Sequence, residues 1–359
     1  MRHDPSPYPE RVNRIRAGIS EKDALLILHE KNIRYLTGFT GSDGTLMAGR
    51  DWLALLVDGR YTTQARGEAV GTEIFEFRSR VDGITAVAGD RAVGAIGFES
   101  PSLTVEDYLK LQEKLPGVVF YPLSDGLQSL RAVKNEEEIA LIRKAARIAG
   151  EALAAIREMI RPGVREKEIA LELEYRMRRG GAEQAAFETI VAAGANAALP
   201  HARPGCRAIA AGDCVIVDYG AVAGGYHSDE TCTYIVGPVS ERQREVYRLV
   251  REAHDRAIRA IRGGVTCDAI DRSARGFLEK AGLGAHFSHG TGHGVGLDVH
   301  EAPRLAAGRE ETLRAGMVVT VEPGIYLPGD WGIRIEDTVL VKEEGCEILT
   351  QTSKDLTVL

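Results

Sequence analysis

Short apolar runs and longer amphipathic segments alternate along this chain. ALLIL at 24–28, LALLV at 53–57 and AIGF at 95–98 are compact apolar runs, and GSDG, DGR and SPS supply turns around them. Such runs predict buried strands. Residues 8–18 and 104–115 predict helices, so the chain to about residue 125 reads as an α/β domain. The segment YPLSDGLQSLRAVKN, 121–135, is the expected boundary, giving domains 1–125 and 126–359. Beyond it a long helix is predicted from about Glu136 to Met159, stopped by RPGV at 161–164, with a second helix running to Arg178. Further helices fit 241–261 and 267–281. Strand signals lie at CVIVDYG (214–220), TCTYIV (231–236), MVVTVEPG (317–324) and GIRIEDTVLV (332–341). This second part predicts an α+β domain, with helices on one face of a curved antiparallel sheet.

Bulk properties narrow the class. A chain of 359 residues exceeds one hydrophobic core and suits two domains. Its 44% apolar and 27% charged residues match an ordinary soluble protein. A net charge of -7 argues against a general nucleic-acid binder. The five cysteines are scattered and never form CxxC, which disfavours a disulfide framework and a thiolate zinc site. The first residues hold no apolar signal core, and no run is long enough for a membrane span, so a cytoplasmic protein is expected. The first domain lacks GxGxxG and Walker A sequences. It reads as a scaffold or oligomerisation domain, or as a partial cover for the other domain's site.

The candidate chemistry lies in the second half. Asp218, Asp229, His293, Glu322 and Glu336 form a set of four carboxylates and one imidazole. An oxygen-rich set suits hard divalent ions, Mn(II) or Co(II), with Zn(II) also compatible. Asp218 ends the run CVIVD, and Asp229 follows 11 residues later. A lone aspartate at a strand end is ordinarily a turn cap, and the pair gains meaning from its partners. His289 and His293 lie in SHGTGHGVGLDVH, too glycine-rich for a regular helix. Glu322 closes the run MVVTV, where a charge needs a partner. In GIRIED, Arg334 and Glu336 share one strand face and the isoleucines share the other. That face is either solvated or turned to metal. Four carboxylates balance two divalent ions, and a two-metal centre supplies hydroxide at neutral pH and polarises a carbonyl.

These residues carry a resemblance. NAALPH (196–201), VDYG with HSDETCT, HGTGHGVGLDVHE (289–301), EPGIY (322–326) and IRIEDT (333–338) together resemble the proline-specific pita-bread metallopeptidases, aminopeptidase P and prolidase. NIRYLTGFTGSDG is similar to the smaller creatinase-like N-terminal domain of that branch, so the resemblance spans nearly the whole chain. Creatinase itself shares the architecture but lacks the ligands that are complete here.

The resemblance implies a residue-by-residue assignment. Asp218 would chelate one ion, Asp229 and Glu336 would bridge both, and His293 and Glu322 would complete the second site. His201 and His300 would bind substrate and stabilise charge. His289 would hold the scissile carbonyl or line the proline pocket. Glu322 would also pass a proton to the leaving prolyl nitrogen, and Arg334 would support the ligands. One departure is Cys232, where the family commonly has arginine; together with Glu230 it alters the surroundings of the ligands.

The implied partners are peptides or dipeptides with proline second, and a homodimer is expected. The sequence favours an Xaa-Pro aminopeptidase, because no closing cap can be identified. The alternative is an Xaa-Pro dipeptidase, in which Arg304 of HEAPR anchors the free carboxylate. A non-catalytic pita-bread binding or chaperone module and a hydrolase of small guanidino compounds are the remaining alternatives. Metal dependence and proline-peptide cleavage separate them.

Overall fold

The computed structural model describes residues 7–123 and 127–359. The chain divides into two compact units, Met1–Leu130 and Arg131–Leu359. The boundary expected between residues 125 and 126 lies outside the described residues.

The first unit contains helix α1 (Tyr8–Arg16), strand β1 (Asp23–Ile27), α2 (Glu30–Thr37), β2 (Thr45–Ala48), β3 (Leu53–Val57) and α3 (Thr62–Glu68). It continues with β4 (Glu73–Glu76), α4 (Arg80–Asp90), β5 (Ala95–Phe98), α5 (Val105–Lys114) and β6 (Val119–Pro122). The sheet has six strands in the order β4-β3-β2-β1-β5-β6. It is mixed: β2 runs antiparallel to β1 and β3, while β5 is parallel to β1 and β6. The three expected strands are β1, β3 and β5, the apolar centre of this sheet. Their Leu26, Leu56 and Ile96 pack with Ile84 of α4 and Leu111 of α5. β4 and β6 are edge strands of four residues with exposed positions; β6 reads VFYP, but it lies at the sheet edge rather than in its buried centre.

The short helix α6 (Gln128–Ala132) leads into the second unit. There α7 (Glu136–Ile156) begins at a capping box, in which Asn135 accepts from the Glu138 amide and Glu138 accepts from the Asn135 amide. α8 (Glu166–Arg179), β7 (Gln184–Ala185), β8 (Ile190–Ala193), β9 (Cys214–Tyr219), β10 (Ala221–Ala223), β11 (Tyr226–His227) and β12 (Glu230–Ile235) follow. Next come α9 (Glu241–Ala260), α10 (Cys267–Lys280), β13 (Gly292–Gly294), β14 (Glu301–Leu305), β15 (Val318–Val321) and β16 (Gly324–Leu327). The last elements are β17 (Trp331–Arg334), β18 (Asp337–Val341), β19 (Cys346–Ile348) and β20 (Thr357–Val358).

Two larger sheets shape this unit, with orders β20-β12-β9-β8 and β14-β13-β15-β18-β19. Their pairings are antiparallel except β12 with β20. α9 and α10 cover one core with Val319, Val339 and Ile333, and α7 and α8 cover another with Val215, Val217 and Tyr219. The run 332–341 is not one continuous strand. It breaks at Ile335–Glu336, and the separate partners of β17 and β18 explain the break. β17 pairs with β16, whereas β18 pairs with β15 and β19. The alternative of a solvated face is excluded, since Arg334 and Glu336 are 3% and 1% exposed.

Candidate metal centre

The fold delivers the five acidic and imidazole residues from five places in or beside its strands. Asp218 on β9 stands opposite Thr231 on β12. The intervening β10–β11 hairpin turns the chain back and places Asp229 beside it. His293 sits in β13 between two glycines whose backbones lie against neighbouring carbonyls. A Cβ on Gly292 would fall 2.0 Å from the Thr320 oxygen, and one on Gly294 would fall 2.2 Å from the Ala302 oxygen. Side chains are therefore barred on both flanks, which accounts for the glycine-rich sequence around this histidine. Glu322 follows β15, and Glu336 occupies the break between β17 and β18.

Asp229, His293 and Glu336 offer ligand atoms that all lie within 4.8 Å of one another. His293 Nε2 is also 3.6 Å from Asp229 Oδ2 and 3.5 Å from Glu322 Oε1. The Thr320 hydroxyl accepts from the His293 amide at 3.0 Å. The Thr231 hydroxyl donates to Glu336 Oε2 at 2.6 Å. Burial drives the carboxyls of Asp229 and Glu336 well above the usual range, and neighbouring carboxylates add to the rise. Glu336 and Asp218 act on Asp229, while Glu322 and Asp218 act on Glu336. Burial likewise lifts Glu322 to about 8, against the pull of Arg334. His293 is pushed down to about 3 by burial and by neighbouring His300, so its ring is neutral and able to ligate. All five expected ligands thus fall in one electrostatic cluster.

Arg334 ties this cluster together. Its Nη2 donates to Asp218 Oδ2 at 2.5 Å, its Nη1 to the Tyr326 hydroxyl at 2.8 Å and to the Pro200 carbonyl at 3.2 Å, and its Nε to the Thr231 hydroxyl at 3.2 Å. Tyr326 reaches His289 Nε2 at 2.8 Å, while His289 Nδ1 lies 2.8 Å from the Gly290 carbonyl. A carbonyl only accepts, so Nδ1 carries the proton and Tyr326 donates to Nε2. Burial lowers His289 to about 4, which keeps that tautomer uncharged.

His300 packs edge-on against His293, with ring centroids 4.3 Å apart. Burial and the charge of Arg304 lower the His300 pKa. His201 is exposed and lies close enough to act on both His289 and His300. Its loop is closed by Glu166, which accepts from the Ala193 amide at 2.8 Å, the Gly205 amide at 2.9 Å and the Asn196 side chain at 3.0 and 3.1 Å. Tyr326, Thr231, Thr320 and Glu166 are not among the sequence-derived candidates. EPGIY, HSDETCT and NAALPH do contain Tyr326, Thr231 and Asn196, so three of these contacts had a signal in the motifs.

The donor set fits divalent cations. Asp218 Oδ1 and Glu336 Oε1 are buried without a hydrogen-bond partner, an arrangement that is expensive unless a cation takes the lone pairs. Several mutually repelling carboxylates beside a neutral imidazole meet the same need.

The comparisons agree. Residues 140–343 match Metallopeptidase family M24, and residues 11–133 match the Creatinase/Prolidase N-terminal domain. The structure superposes on the Xaa-Pro dipeptidase from Bacillus anthracis with a TM-score of 0.95 and 38% identity, covering 98% of this chain and 100% of that one. The X-Pro aminopeptidase from Thermotoga maritima gives 0.90 and 36% identity, with 98% and 99% covered. An Xaa-Pro dipeptidase of Pyrococcus horikoshii is 37% identical over 93% of this chain and 94% of its own length. The chain belongs to metallopeptidase family M24, in its pita-bread branch of aminopeptidase P and prolidase. It is accordingly a metal-dependent hydrolase of peptide bonds.

Proposed function

We propose that this protein is an Xaa-Pro dipeptidase, the alternative rather than the aminopeptidase that the sequence favours. Arg304 carries this reading. On β14 it stands opposite His293, its side chain is exposed, and its charge acts on both His293 and His300. A free cation at that place suits the carboxylate of a dipeptide's proline, which a longer peptide carries further away. The names of the Bacillus anthracis and Pyrococcus horikoshii relatives support the same choice, while the Thermotoga maritima structure keeps the aminopeptidase as the competitor to test.

Asp218, Asp229, His293, Glu322 and Glu336 would hold two divalent ions, for which Mn(II) is the first candidate and Co(II) or Zn(II) the others. Bound there, the ions would supply a nucleophile at neutral pH and polarise the carbonyl before proline. His289, neutral and oriented by Tyr326, lines the pocket beside that carbonyl. His201 and His300 hold the substrate at the open side and stabilise negative charge on the reacting oxygen. The prolyl nitrogen leaves as an amine and needs a proton, which Glu322 would take up from the attacking water and pass on from its carboxyl. Five free cysteines fit a reducing cytoplasm. No described helix is long and apolar enough to cross a membrane. A homodimer is the assembly proposed.

Metal-stripped protein reconstituted with Mn(II) tests the reading on Ala-Pro, Ala-Pro-Ala and an Arg-Pro-Pro peptide. Ala-Pro should be cleaved fastest, and Arg304→Ala should reduce its kcat/KM about tenfold or more, mainly through KM. Faster cleavage of the longer peptides would make the enzyme an aminopeptidase. No cleavage with both ions bound would remove the peptidase reading.

A further inference from the structure

Each proposed bridging carboxylate is followed in sequence by a second acidic residue, Glu230 after Asp229 and Asp337 after Glu336. The backbones of these two segments are joined directly. The Glu336 amide donates to the Thr231 carbonyl at 3.1 Å, and the Thr338 hydroxyl donates to the Asp229 carbonyl at 2.6 Å. Because successive side chains leave a strand on opposite faces, Glu230 and Asp337 point away from the ligand cluster.

Both meet one ammonium. Lys354 Nζ, from the C-terminal segment, donates to Glu230 Oε1 at 2.5 Å and lies 3.4 Å from Asp337 Oδ1. All three groups are buried, at 5%, 1% and 3% exposure for Lys354, Glu230 and Asp337. Their remaining lone pairs are engaged. Tyr219 donates to Glu230 Oε2 at 2.7 Å, Thr350 donates to Asp337 Oδ1 at 2.5 Å, and Asp337 Oδ2 lies 3.2 Å from Nε2 of the buried His254.

Stability alone does not explain three buried charges here. Desolvation offsets most of the attraction, and well-packed apolar residues would serve the core as well. What a shared ammonium adds is a fixed distance between the two carboxylates, and so between the two segments that carry them.

We propose that Lys354 is a positioning residue that clamps Glu230 and Asp337 from behind and thereby sets the spacing of Asp229 and Glu336 for a bridged metal pair. This rests on the two-ion reading of the site. Removing the ammonium unties Glu230 from Asp337, which keeps only His254 and Thr350 beside it, so the spacing of the two segments is no longer fixed. The chain should still present His293, Glu322 and one bridging carboxylate to a single ion.

The test uses the full chain, metal-stripped and titrated with Mn(II). Isothermal titration gives stoichiometry and affinity, electron paramagnetic resonance shows whether the bound ions are exchange-coupled, and circular dichroism reports folding. The variants are Lys354→Met, Lys354→Arg and the charge-balanced pair Glu230→Gln with Lys354→Met. The charge-balanced variant should fold, bind its first Mn(II) normally, bind the second at least tenfold more weakly and lose the coupled signal. Lys354→Arg should keep that signal. A purely structural Lys354 would alter thermal stability without changing the coupling in folded protein. Two ions bound at wild-type affinity with a coupled signal in the charge-balanced variant overturn the proposal. If that variant does not fold, Glu230→Gln alone is read in the same way. Wild-type protein that fails to take up two ions overturns the two-ion reading itself, and this inference with it.

Discussion

Arg334→Met removes the guanidinium that four groups share and keeps a side chain of similar length. Its buried ion pair with Asp218 is broken, and the Tyr326 hydroxyl, the Thr231 hydroxyl and the Pro200 carbonyl each lose a donor. Breaking a buried pair on one side costs about 3–5 kcal/mol, because the surviving charge stays buried and uncompensated. Those hydrogen bonds overlap energetically with the pair, so the sum is not larger than that range. For a unit of this size each kcal/mol corresponds to roughly 2–4 °C, so the expected loss in Tm is about 6–20 °C. Scanning calorimetry on metal-stripped protein measures it without interference from bound ions. Arg334→Lys should restore part of that stability through Asp218. It should not restore kcat/KM, since one ammonium cannot hold Asp218 and Tyr326 in the geometry of a planar fork. A methionine variant melting within about 2 °C of wild type, or a lysine variant with full kcat/KM, would refute the reasoning.

Two further predictions concern the residues around the cluster. His289 is held near pKa 4 against an ordinary 6.5, so the unfolded chain binds more protons between those values and stability falls as pH drops from 6.5 to 4. The contribution is at most about 3 kcal/mol, and urea titrations should show a shallower acid limb in His289→Gln; an unchanged limb would place the loss elsewhere. Glu166→Gln sets an amide donor against the donors that now bind Glu166, loosening the 193–205 loop by about 1–3 kcal/mol. Hydrogen exchange in that loop should rise and KM with it, and exchange at the wild-type rate would show that Glu166 does not hold His201.

Much of the fold was legible where one segment forms its structure from its own pattern. Leu53–Val57 is buried at every position, and α7 carries both its apolar periodicity and its Asn135–Glu138 cap within local sequence. The short edge strands were not legible, because a four-residue strand with exposed positions acquires its conformation from its neighbour. The same division holds at the site. The candidate ligand types and their glycine-rich setting stand in the sequence, and the resemblance rested on them. That Arg334 reaches Asp218, that Tyr326 orients His289, and that Lys354 lies between Glu230 and Asp337 are contacts across 116, 37, and 124 and 17 residues. Composition and spacing determine which groups a chain can bring to a site. Only the tertiary packing decides which of them meet, because a hydrogen bond or ion pair depends on ångström distances that local sequence does not encode.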